Sequence, residues 1–214
     1  MNIGTLDLGL AVQAFVTLLV IMDPLGNVPV FLALTAADTQ ARRRRTARHA
    51  MTAAAAIVYL FAFFGTQILA SLSIGLPALQ AGGGVVLFLT ALEMLKGDIL
   101  VPSTAEGVNV AVVPLGVPLL AGPGSISAAM VFMSDGVGGG TLDVGRQLTV
   151  ALAIAAVLAV VYLTMRYAEL LERLLKDNGI HLVTRVMGML LIAISIELVA
   201  TAIQAYVAGS SAMP

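Results

Sequence analysis

The chain has 214 residues, 59% of them apolar and 11% charged, with a mean hydropathy of +1.02 and a formal net charge of −1. Soluble domains carry about 25% charged residues, so this composition is that of a polytopic membrane protein, and its near-neutral balance offers no basic face for nucleic acid. The absence of cysteine excludes disulfides, thiolate metal sites and cysteine nucleophiles.

A helix rising about 1.5 Å per residue needs roughly 20 apolar residues to cross the hydrocarbon core. Six segments meet that length, at approximately 8–36, 50–71, 78–96, 108–134, 147–166 and 183–207. The opening "MNIGTLDLGL" has no basic n-region, so the first apolar stretch is expected to be a retained span. That span contains "VIMDPLGNVPVFL", with Asp23, Pro24, Gly26, Asn27 and Pro29 in its middle. Proline removes a backbone donor and frees a carbonyl, and glycine allows a bend. Asp23-Pro24 reads as a helix N-cap followed by proline at the first helical position.

The second span follows the run "RRRRTAR" (Arg42 to Arg45 and Arg48). With the N-terminus outside, the inward loops hold those five arginines, Lys96, Arg166, Arg173, Lys176 and Arg185, which leaves only Arg146 outside. The positive-inside rule therefore predicts an N-out, C-out topology. The arginine run could also bind anionic membrane lipid. His49 and His181 fall at the inner interface, and Tyr167 and Tyr206 sit near span ends as interface anchors.

The third span carries "GVVLFLTALE" from Gly84 to Glu93, and the sixth carries "GMLLIAISIE" from Gly188 to Glu197. The fourth span contains "GPGSIS" (Gly122 to Ser127), a second Pro-Gly break, preceded by Pro114-Leu115-Gly116 and Pro118. Matching breaks and a matching Gly/Glu spacing predict two three-helix repeats, residues 1–100 and 101–214, in one membrane domain. Because three is odd, the second copy enters upside down, the arrangement of secondary transporters with a site at the repeat interface. The expected fold class is thus all-α and polytopic, with six transmembrane helices as two inverted-topology repeats.

Each broken span is expected to stop and restart, directing N–H groups and a positive dipole end at the break. Re-entrant hairpins fit the same residues equally well. Asn27, Ser125 and Ser127 lie within the first turn or so, where they can bond a small polar ligand. The predicted substrate-binding set is Asp23, Pro24, Gly26, Asn27, Gly122, Pro123, Gly124, Ser125 and Ser127. Asp23, Glu93 and Glu197 lie within spans, where a lone carboxylate costs at least about 2.5–3.5 kcal/mol unless protonated or faced by a cation or water. They are the candidate ion-coupling residues, for H+ or Na+. Glu93 has a competing account as an i,i+3 surface pair with Lys96, and Asp23 one as a cap, which leaves Glu197 the sharpest proton carrier. No catalytic residue, metal site or cofactor is expected. Ser125 has no histidine at its depth to act as base, and Gly97-Asp98 lies outside any span.

Together, "MDPLGNVPVFLALT", "AGGGVVLFLTALEML" and "VPLGVPLLAGPGSIS" resemble the MarC family of six-span bacterial membrane proteins over essentially the whole chain. The motifs DPxGNxP and PLxxPLLAGPGxI carry the match at Asp23, Pro24, Gly26, Asn27 and Pro29, then at Gly122, Pro123, Gly124 and Ser125. The family falls within a wider group of amino-acid exporters, and an archaeal relative handles glycine and alanine. The resemblance implies an inner-membrane secondary transporter of small neutral amino acids, coupled to H+ or Na+, with room for a homo-oligomer. Export of another small solute, or a non-transporting assembly or regulatory role, are the alternative readings.

Overall fold

A computed structural model describes residues 7–36, 38–96, 121–134 and 144–210. The incoming half of the fourth predicted span, with Pro114, Leu115, Gly116 and Pro118, lies outside these residues, as does Gly97-Asp98; the side chains of Lys176 and His181 are also outside the description. The described residues are all-helical, without strands.

The first predicted span is two helices, α1 (Leu8–Met22) and α2 (Asn27–Leu34). Next come α3 (Gln40–Ser71), α4 (Leu76–Lys96), α5 (Pro123–Ser134), α6 (Val144–Arg166) and α7 (Ala168–Ser210). Among the described residues four stretches are long and apolar enough to cross a membrane: α3, α4, α6 and Leu182–Ala208 of α7. Helix α1 has 15 residues, about 22 Å of rise against a core of about 30 Å. It is too short to cross alone.

Helix α3 begins ten residues before the predicted span, because the arginine run is itself helical and Thr39 caps it through Arg42 N–H. Helix α7 likewise begins well before the predicted 183, so the segment after Arg166 continues as helix with one break at Tyr167. Arg43 joins these beginnings. Its guanidinium pairs with Glu169 and also donates to the Thr35 carbonyl (3.0 Å) just past the end of α2. A cation there satisfies a helix-end carbonyl and opposes its negative dipole end.

Helices α4 and α7 run antiparallel with their backbones nearly touching. A Cβ on Gly84 would lie 2.9 Å from the Ser195 carbonyl, and one on Gly188 would lie 3.1 Å from the Ala91 carbonyl. Each glycine therefore meets the residue seven positions beyond the other. In lipid, where apolar burial gives helices little reason to associate, small residues allow the close packing that holds them. Gly65 similarly gives Met130 of α5 a seat on α3. Elsewhere α1 packs on α6 and α5 on α3, while α5 also meets α4 and α2 meets α7. Arg146, the cation predicted on the outer side, donates from Nε to the Phe132 carbonyl (3.1 Å) in the last turn of α5.

Candidate functional site

Asp23 ends α1 and starts the next turn. Its backbone is left-handed (φ 40, ψ 69), and its N–H reaches the Leu19 and Val20 carbonyls. Aspartate is among the few non-glycine residues that tolerate this region. Its Oδ1 accepts from the Gly26 N–H (3.0 Å), and the Asn27 N–H closes on the Asp23 carbonyl (3.1 Å). The predicted N-cap contact is therefore made, but by a residue that also C-caps α1, and regular helix resumes at Asn27 rather than Pro24. Asn27 Nδ2 donates to the Met22 carbonyl (2.7 Å), lacing the start of α2 to the end of α1.

The second break follows the pattern read from the sequence. Pro123 is the first residue of α5, Ile126 N–H bonds the Gly122 carbonyl (3.0 Å), and Ser125 Oγ donates to the same carbonyl (2.9 Å). Proline has no N–H to leave unpaired at that position. Gly83 of α4 sits against this start: a Cβ there would be 3.0 Å from the Pro123 carbonyl oxygen.

A cavity of about 140 Å³ lies where the two breaks approach each other. Asp23 and Asn27 line one part; Gly122, Pro123, Gly124 and Ser125 line another; Thr90 and Met94 of α4 contribute a third. Six of the nine predicted substrate residues are thus brought together. Pro24, Gly26 and Ser127 are adjacent in sequence but do not line it; Ser127 is fully buried, with no partner for Oγ among the described residues. Glu93 is half-buried and Glu197 exposed, and neither lines the cavity. Among the described residues no ion pair joins Glu93 to Lys96.

Asp23 is the carboxylate of this cavity. It is 5% exposed, and its Oδ2 has no hydrogen-bond partner among the described residues. Opposite, the opening turn of α5 offers the positive end of a helix dipole. A solute carrying both charges would find a complement for each. The volume is below the roughly 300–1,000 Å³ of pockets for drug-sized ligands.

Sequence reasoning missed the α4 wall. Gly83, Leu87, Thr90 and Met94 fall at i, i+4, i+7 and i+11, one helical stripe. The signal was therefore present, but which stripe of a uniformly apolar helix faces inward depends on its neighbours.

The Asn27 contact predicts a stability effect. Asn27→Ala leaves the buried Met22 carbonyl without its donor, at a cost of about 1–3 kcal/mol. Thermal unfolding of the detergent-purified variant should show the loss, and an unchanged midpoint would contradict the lacing role.

Apolar helices of spanning length, with a polar break and cavity among them, define an α-helical integral membrane protein. The chain matches the MarC family integral membrane protein pattern over residues 8–207. It belongs to that family. It is 35% identical over 206 residues to a UPF0056 membrane protein of Methanocaldococcus jannaschii, covering 93% of this chain and 98% of the relative. It is 34% identical over 198 residues to a UPF0056 membrane protein of Aquifex aeolicus, covering 89% and 90%. It is 31% identical over 203 residues to the UPF0056 membrane protein YhcE of Escherichia coli, covering 91% and 92%. No solved structure matches the chain.

Proposed function

We propose that this protein is a secondary transporter of small neutral amino acids of the glycine or alanine type. In this reading it crosses the bacterial inner membrane six times as two inverted three-helix repeats, N-out and C-out, and couples transport to H+ or Na+. The observation that carries the reading is the cavity shared by the α1–α2 turn and the start of α5, with a carboxylate on one side and a helix N-terminus on the other. The substrate carboxylate would rest at the opening turn of α5 beside Gly124 and Ser125, with Asn27 as a further polar contact. A proton or Na+ on Asp23 is the natural coupling ion, since a buried lone carboxylate needs a positive partner.

The reciprocal pairing of Gly84 with Ser195 and Gly188 with Ala91 supports the inverted repeat. A pseudo-two-fold axis between α4 and α7 would relate those contacts, and it would also exchange the α3·α5 packing with α6·α2, and α4·α5 with α7·α2. The basic residues that open α3 and flank the α6–α7 junction gather at one end of the molecule. That agrees with the orientation expected from the positive-inside rule.

Purified protein in liposomes tests the function. Labelled glycine or alanine should accumulate under an imposed proton or sodium gradient, and no accumulation under either would overturn the proposal. Ser125→Ala is the cleaner variant, because the Gly122 carbonyl that Ser125 bonds keeps the Ile126 N–H, whereas the Met22 carbonyl loses Asn27. It should cut uptake about tenfold, the worth of one hydrogen bond of about 1.4 kcal/mol, with the unfolding midpoint nearly unchanged. Wild-type uptake would remove Ser125 from the site.

A further inference from the structure

A second cavity of about 140 Å³ lies between the start of α3 and the α6–α7 junction, remote in sequence from the first and built from different chemistry. Gln40, Arg43 and Arg44 line it from α3, and Arg166, Glu169 and Arg173 line it from the other side. Among the described residues four guanidinium groups face one carboxylate. That carboxylate is already engaged, since Glu169 pairs with Arg43. Arg166 donates to the Tyr162 hydroxyl (3.1 Å) and lies over the Tyr167 ring, which leaves its charge unneutralised. The nearby Asp38 pairs with Arg42 instead, outside the cavity lining. Nε of Arg43 and Nε of Arg44 are shielded from solvent and have no acceptor among the described residues.

Buried guanidinium donors are costly to leave without acceptors. Three arginines beyond the internal ion pair call for an anion with several acceptor oxygens, and the planar fork of arginine suits phosphate. The site also lies at a membrane boundary, because Arg166 is the last residue of the spanning helix α6. Its rim is apolar: Tyr167 is 49% exposed and Leu170 63% exposed. A charged cradle edged by exposed apolar side chains, at headgroup depth, matches both parts of a phospholipid. We propose that this arginine-lined cavity is a phosphate-binding site that takes the headgroup of an anionic phospholipid, whose acyl chains lie along Tyr167 and Leu170. The proposal is independent of what the first cavity carries.

The test uses the full chain in a neutral detergent, with helix content followed during heating. Phosphatidylglycerol is added in one arm, phosphatidylcholine in a second and inorganic phosphate in a third. The expected result is a midpoint raised by several degrees with phosphatidylglycerol alone. A comparable rise with inorganic phosphate upholds the anion site and overturns the lipid as its source. Equal effects of phosphatidylglycerol and phosphatidylcholine overturn the site altogether.

Arg44→Gln and Arg173→Gln should each remove most of the phosphatidylglycerol increment. Arg173 is exposed, so its variant serves even if Arg44→Gln fails to fold. Arg173→Lys should restore part of the increment. A full increment in Arg173→Gln would refute the assignment, whether or not Arg44→Gln folds.

Discussion

Alanine at Gly26 is expected to be among the most damaging single methyl additions in the protein. A Cβ at that position would lie 2.0 Å from Asp23 Oδ2 and 2.5 Å from Met94 Cε. Methionine can swing aside, but the short Asp23 side chain can relieve the clash only by rotating its carboxylate. That rotation breaks the bond from Gly26 N–H to Oδ1, a cap worth about 0.5–2 kcal/mol, and overpacking adds about 1–3 kcal/mol. The unfolding midpoint should fall by the equivalent of about 3 kcal/mol. The clash is with the carboxylate, so the same change in an Asp23→Ala background should cost much less, and the two substitutions should be strongly non-additive. Additive losses would mean that Gly26 is needed for some reason other than its closeness to Asp23.

The second large effect is expected at the α4–α7 crossing. Gly84→Ala would put a methyl 2.7 Å from Val199 Cγ2 and 2.9 Å from the Ser195 carbonyl oxygen. Backbone oxygen cannot rotate away, so the helices must separate, at about 1–3 kcal/mol. Gly188→Ala meets the Ala91 carbonyl at 3.1 Å and should cost somewhat less. Once one substitution has spread the pair, the second finds room, so the double variant should lose less than the sum. Unfolding midpoints of the four proteins in detergent measure this directly. No loss in either single variant would show that the seam is looser than its geometry indicates.

The stop of α1 and the start of α5 were legible in the sequence because proline and glycine act on their own backbone. Pro123 opens α5 where Gly122-Pro123 said it would. The left-handed turn at Asp23 was not legible, since an aspartate before proline reads as an ordinary N-cap and nothing local reports φ. Spanning lengths were readable for α3, α4 and α6 from hydropathy alone, yet the ends of α3 and α7 were not. Arginine and glutamate are good helix formers, so a helix can leave the apolar region without any change visible in a hydropathy count. Six of nine predicted cavity residues converge because short segments keep neighbours together. Thr90 and Met94 escaped notice because helix rotation is set by tertiary packing. The tie between Arg43 and Glu169 joins residues far apart in the chain, beyond any pattern read along it.

The turn at Asp23 also fixes one wall of the first cavity. A residue preceding proline is steered away from the right-handed helical basin, and Pro24 has no amide hydrogen with which to extend a ladder. Fusing α1 and α2 into one rod would oppose both restrictions at a single dipeptide. This side of the cavity is accordingly shaped by the covalent chain itself. If the cavity takes the small solute proposed above, the ordering entropy of that wall is met once, during biosynthesis, rather than at every encounter.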